Sequence, residues 1–187
     1  IGDIPNSWEV RRVRFLCKIT TGNRDTQDAV EEGSYPFFVR SPIVRRINTY
    51  CFDGEGVLTA GDGAGVGKIY HHFIGRCDFH QRVYLFYDFT NITGRYFYYC
   101  LQSHLKNVVL ALSAKSTVDS VRLPMLQDFC MAISSIEEQQ TMVQFLDKKT
   151  SQIDGFVSAL QIIISTLKEH RQSLITAAVT GKLDIQA

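Results

Sequence analysis

Three arginines, Arg40, Arg45 and Arg46, bracket Ser41-Pro42 in a stretch, residues 35–50, that contains no acidic residue. A guanidinium fork can engage a phosphate or the edge of guanine through two hydrogen bonds, and polar neighbours such as Ser41 and Asn48 can reach base edges. Lys115-Ser116-Thr117 repeats the combination of one cation with two hydroxyls further along the chain. Lys68, Arg76 and Arg82 complete the set of cations suited to neutralising phosphate. The same residue types also serve as ordinary solvated surface. They are therefore candidates whose value depends on whether the fold brings them together.

Gly61-Asp62-Gly63-Ala64-Gly65-Val66-Gly67-Lys68 invites comparison with a phosphate loop. The P-loop pattern needs a glycine five residues before the Gly-Lys pair and a hydroxyl after it, and Asp62 and Ile69 occupy those positions. The dinucleotide pattern Gly-x-Gly-x-x-Gly fails as well, because its last position falls on Val66 or Lys68. The segment is expected to be a tight turn between strands, or a place where backbone approaches a nucleic-acid phosphate beside Lys68.

Enzyme chemistry finds less support. His71 and His72 are adjacent, so in a strand they point to opposite faces and do not share a metal. Cysteines at 17, 51, 77, 100 and 130 show no Cys-x-x-Cys spacing, which favours a reduced compartment over a disulfide framework or structural zinc. An Asn-Pro-Pro-Tyr motif, which amino-methyltransferases use to hold a flipped base, is absent. All four prolines are isolated.

The elements that must position these residues can be read from periodicity. Aromatic and β-branched runs at Tyr35–Val39, Val57–Ala60, Ile69–Tyr70 and Val83–Tyr87 predict strands, while Phe97, Cys100, Leu101, Leu105 and Val108 predict a helix over 96–110. Residues 22–33 read as loop, and Val10–Leu16 as a short strand or helix. The body is thus α+β, spanning residues 1–135.

Beyond it the pattern changes. Leu146, Ile153, Leu160, Leu167 and Leu174 recur every seven residues, with Lys149, Phe156, Ile163, His170 and Ala177 three positions after each. Ser135 and Glu138 form a capping-box pattern, and Gly181 is a C-terminal cap. Residues 136–187 are expected to be a long helix and tail, with Leu146, Ile153, Phe156, Leu160, Ile163, Leu167 and Leu174 facing a partner helix. Charge is nearly balanced in both parts: residues 1–135 hold 15 Lys or Arg against 13 Asp or Glu, and residues 136–187 hold 5 against 6. Nucleic-acid binding must rest on local clustering. No apolar run approaches membrane-spanning length.

In order along the chain, the segments Ile4-Pro5-Asn6-Ser7-Trp8-Glu9, Tyr35–Ser41, Leu58–Lys68, Lys115–Val118, Glu138-Gln139-Gln140, Phe145-Leu146-Asp147, Leu167–Ile175 and Ala178–Leu183 resemble one half of the DNA specificity subunit of type I restriction-modification systems. The resemblance implies a target recognition domain followed by a spacer helix that pairs antiparallel with another. It implies a cytoplasmic, non-catalytic subunit reading one half of a bipartite double-stranded DNA target. It also implies partners: adenine-N6 methyltransferase subunits carrying S-adenosylmethionine, and a restriction subunit using ATP and Mg, with no cofactor on this chain. One recognition domain and one helix, where the family has two of each, suggests a C-terminal half or a half-subunit that dimerises. The tail resembles that of a complete subunit.

Two other readings stand beside this one. A coiled-coil assembly module that binds no DNA would lack a contiguous basic face joining the Arg40 and Lys115 loops. An enzyme built on His71 or His80 would need a concave pocket with converging polar groups.

Overall fold

Strand-forming residues gather into a mixed sheet in the computed structural model, which describes residues 3–113 and 120–182. The strands are β1 (Glu9–Arg12), β2 (Lys18–Thr21), β3 (Tyr35–Phe38), β4 (Arg45–Ile47), β5 (Phe52–Ala60), β6 (Tyr70–Phe79), β7 (Val83–Tyr87) and β8 (Cys130–Ile133). The helices are α1 (Gly94–Ser113), α2 (Leu123–Gln127) and α3 (Ile136–Val179). Six strands form one sheet in the order β2-β7-β5-β6-β3-β4, antiparallel except for β3 beside β6, and β1 pairs antiparallel with β8 in a second, two-stranded sheet.

The second half of β5, from Gly56 to Ala60, is buried on both faces, which is why Val57–Ala60 reads as an unbroken apolar run rather than an alternation. Val57 and Phe86 face α1, where Phe97, Leu101 and Leu105 complete the larger core with Val13 and Leu16. Leu58 and Leu85 point the other way, into a second cluster with Phe38, Cys77, Phe79 and Val83. That second cluster requires the end of β6 to curl back over the start of β7. Gly54 lies opposite Gly75 in the β5–β6 ladder, with φ of +154° and +124°, and this pair supplies backbone that other residues resist.

Sequence periodicity locates the elements better than it bounds them. The helix expected over 96–110 forms as α1, whereas β6 is ten residues long and only Tyr70 of it lay in an expected strand. Its Gly75, Arg76 and Asp78 interrupt the β signal because this strand bends. The segment around Val10–Leu16 is both alternatives in succession, β1 and then a single 3-10 turn at Val13–Phe15.

The chain divides into two compact units, Ile1–Val143 and Gln144–Ala187, and α3 begins in the first. Its start is pinned by Ser135, whose Oγ accepts the Glu138 N–H at 3.2 Å. The Glu138 carboxylate does not complete a reciprocal cap; it accepts the Trp8 indole N–H at 3.1 Å. Gln139 is fully buried, accepting the Thr93 N–H at 2.9 Å and donating to the Asn91 and Ser134 carbonyls at 3.1 and 3.0 Å. At the far end, Lys182 and Gly181 N–H groups donate to the Ala177 and Ala178 carbonyls, with Gly181 at φ +69°, a Schellman termination. At about 1.5 Å per residue, the 44 residues of α3 measure roughly 66 Å. Along it Ile153, Phe156, Leu160, Ile163, Leu167 and Leu174 are all exposed, and Leu146 is half-buried.

Candidate nucleic-acid interface

Arg40 leaves the end of β3, Asp62 follows β5, and Arg82 precedes β7, so three segments distant in sequence supply one cluster. Arg40 donates to Asp62 Oδ1 at 2.8 Å, and Arg82 donates to Asp62 Oδ2. The carboxylate is mostly buried, at 16% exposure, while Arg40 and Arg82 remain 40% and 61% exposed. Burial alone pushes the Asp62 carboxyl up. The hydrogen bonds from Arg82 and Arg40, together with their charges, outweigh it and hold the group below the usual carboxylate range. Two cations against one anion leave the cluster net positive, with its guanidinium groups held in fixed positions.

The glycine segment is the tight turn between strands that its spacing predicts. Residues Gly63–Gly65 make a single 3-10 turn closed by the Val66 N–H on the Gly63 carbonyl, and the Lys68 and Ile69 N–H groups donate to the Gly65 carbonyl in the turn that follows. Gly65 is needed there because a Cβ would stand 3.0 Å from the Arg40 carbonyl and 2.6 Å from Ile69 Cδ1. The turn therefore packs against the Arg40 segment, and Lys68 is exposed at its end.

A second connection joins this point. Ser120 bridges Asp62, and the Val121 N–H donates to the Gly61 carbonyl at 2.8 Å. Thr21, Gln81, Arg82, Ser120 and Arg122, with Tyr84, Val121 and Leu123 between them, then line a concavity of about 350 Å³ beside the cluster. Lys115, Ser116 and Thr117 lie outside the described residues.

The remaining candidates are held differently. Ser41 accepts the Ile43 N–H at 3.2 Å, shaping the turn after Arg40. Arg45 is exposed on β4, whereas Arg46 spends its guanidinium on the Gly33 and Ser34 carbonyls at 2.8 and 3.0 Å. Arg76 pairs with Asp53 at 2.9 Å and lies over the Tyr50 ring at 5.0 Å, outside the Asp62 cluster. Asp62 itself was legible only as an acid that disqualifies a phosphate loop. Gln81, Arg122 and Thr21 carried no motif, and only the fold, which brings the end of β2, the β6–β7 connection and the segment before α2 around one concavity, joins them to Arg82.

The histidines do not form a shared centre. His72 Nε2 lies 2.8 Å from Glu55, while His71 is on the opposite face against Phe38. Burial draws the His71 imidazole below its ordinary value. Among the described residues, no group of three His, Cys, Asp or Glu side chains is arranged to hold a metal ion. Burial raises the Cys17, Cys51 and Cys77 thiols to about 12 and Cys100 to about 11, which leaves them protonated and weakly nucleophilic near neutral pH. No helix among the described residues is long and apolar enough to cross a membrane.

The model of the type I restriction modification DNA specificity domain matches residues 5–155. The EcoDI type I restriction enzyme specificity subunit of Escherichia coli is 30% identical over 182 residues, covering 97% of this chain and 40% of that protein. The EcoBI specificity subunit of the same organism is 33% identical over 89 residues, 48% of this chain and 19% of that protein. Among solved structures, a chain from the type I R-M system superposes with a TM-score of 0.73 at 19% identity, covering 95% of this chain and 47% of that one. The HsdS subunit from Thermoanaerobacter tengcongensis gives 0.65 at 17% identity, covering 97% and 47%. The chain spans less than half the length of these relatives. With the matched domain covering most of its length, from the turn before Trp8 into the long helix, the chain belongs to the type I restriction modification DNA specificity family.

Proposed function

We propose that the first unit reads one half of a bipartite duplex target, with Arg40 and Arg82 as its central contacts. The observation that carries this reading is the exposed arginine pair, fixed by one half-buried carboxylate where three segments converge in a member of a DNA specificity family. A guanidinium whose position is already set loses less freedom on meeting a base edge or phosphate, so fixed arginines favour selectivity over diffuse attraction. Lys68, Arg122 and the exposed Arg45 would add register on the backbone.

The chain itself is read as non-catalytic. Its partners would be methyltransferase subunits supplying S-adenosylmethionine chemistry and, through the complex, a restriction subunit supplying ATP- and Mg-dependent activity. The second unit would pair its stripe antiparallel with the helix of another half-subunit or a second copy, and so set the distance between half-sites. Exposure of Ile153, Phe156, Leu160, Ile163 and Leu167 supports such pairing, because a long helix with an uncovered apolar seam is poorly solvated.

Selection from a random duplex library by the chain assembled with its methyltransferase tests the reading. A short fixed sequence, repeated or paired across a constant unspecified gap, is the expected product. Recovery of duplexes without common sequence would leave only the assembly-module reading.

A further inference from the structure

Between β6 and β7 the chain turns in three residues, His80, Gln81 and Arg82, and two of them line the concavity beside the Asp62 cluster. His80 does not. Its side chain is 2% exposed, its N–H donates to the Phe38 carbonyl at 2.9 Å, and its Nδ1 accepts the Arg82 N–H at 2.9 Å. A side-chain acceptor that takes the N–H two residues later is the geometry by which Asn and Asp shape turns. Here an imidazole does it. Because Nδ1 accepts, the neutral ring carries its proton on Nε2, which lies 3.8 Å from the Asp25 carboxylate. Asp25 in turn accepts from the Gln81 amide at 3.1 Å, and the Gln81 N–H donates to the Arg24 carbonyl at 2.8 Å. The ring therefore touches the supports of both exposed turn residues.

We propose that His80 is the positioning residue of this interface: its neutral ring, through Nδ1 on the Arg82 N–H and Nε2 toward Asp25, fixes the turn that presents Gln81 and Arg82 to DNA. The proposal rests on the reading of this face as the DNA contact and adds a residue that touches no nucleotide. Protonation converts Nδ1 from acceptor to donor, so the charged ring cannot keep the Arg82 N–H bond and must set the turn aside. The charged groups facing it are Arg24 and Asp25 from the loop after β2, Arg40 after β3, Asp62 after β5, and Arg82 on its own turn. Burial and the charge of Arg40 lower the His80 imidazole below its ordinary value, Asp25 and Asp62 oppose this, and Arg82 adds to the lowering. The turn is thus intact near neutral pH and is lost as pH falls through that lowered value. Nonspecific attraction to phosphate should persist in acid, because the ring gains a positive charge while selectivity falls.

The test uses the full chain with a duplex enriched from a random library and a scrambled duplex of equal length, measuring the ratio of the two affinities from about pH 7.5 down to about pH 4.5, so that the range extends well below the ordinary imidazole value. Wild type should lose selectivity toward the acidic end, by about tenfold if one base-reading contact is displaced. His80→Asn retains an acceptor for the Arg82 N–H and should keep a selectivity that does not change with pH over this range. His80→Ala should bind both duplexes with a low, pH-independent ratio. If His80→Ala does not fold, the wild-type and His80→Asn profiles decide alone. Superimposable pH profiles for wild type and His80→Asn, or full selectivity in folded His80→Ala, would overturn the proposal. Absence of any preference in wild type at every pH would instead overturn the DNA-reading function beneath it.

Discussion

Asp62 joins Arg40 and Arg82, and its removal separates positioning from charge. Asp62→Asn frees both guanidiniums and raises the net charge, so affinity for every duplex should rise at low salt and the salt dependence should steepen, while discrimination between sequences falls. Titrations at several salt concentrations against enriched and scrambled duplexes check both parts. Lys68→Ala should act oppositely on the first quantity, weakening all duplexes alike and reducing the salt slope by about one if it meets a single phosphate. The carboxylate clamp also links to pH. Asp62 titrates below its ordinary 3.8, so its contribution to stability is complete above that value and is lost as pH falls through the lowered one. At this scale sequence identified Arg40, Arg82 and Lys68 as cations worth following but not their carboxylate partner. An acid in a glycine turn looks hostile to phosphate until the fold sets two arginines against it.

Among the elements, the bent β5–β6 hairpin carries Asp62 at its turn, and the single buried residue at the start of α3, Gln139, ties that helix to the first unit. Gly75 has φ +124° with ordinary space around its missing Cβ, so Gly75→Ala should cost about 1–3 kcal/mol through backbone strain rather than collision. A lowered denaturant midpoint with an unchanged slope would register this. Gln139→Ala leaves the Thr93 N–H and the Asn91 and Ser134 carbonyls without their partner, and at about 1–3 kcal/mol for an unmet buried polar group it should be the more damaging change. Chemical denaturation of the two variants side by side checks the order. The strands β3 and β7, the helix α1 and the span of α3 were legible because their apolar spacing is regular. β6 was not, since Gly75, Arg76 and Asp78 interrupt its pattern where it curls. Gln139 lay in a segment that resembles the family, yet nothing in its type announced that it would be fully buried across three backbone groups.

Across the whole molecule, the proposed function would have the first unit select a half-site and the helical unit, with its exposed stripe, set the distance to another. Replacing Leu160 and Leu167 together with Asp inserts charge into that stripe, and light-scattering mass should then fall from an assembled to a smaller species while the first unit keeps its thermal transition. Inserting a helical turn between Leu160 and Leu167 should change the unspecified gap of the enriched sequence and leave its fixed bases as they were. The central claim is that the Arg40–Asp62–Arg82 cluster reads sequence. The most direct measurement is the affinity of wild type and Arg40→Ala for enriched and scrambled duplexes in the methyltransferase complex at fixed salt. The account predicts a loss of about 1–3 kcal/mol on the enriched duplex and a much smaller loss on the scrambled one. Equal losses on both duplexes, or none on either, would contradict it.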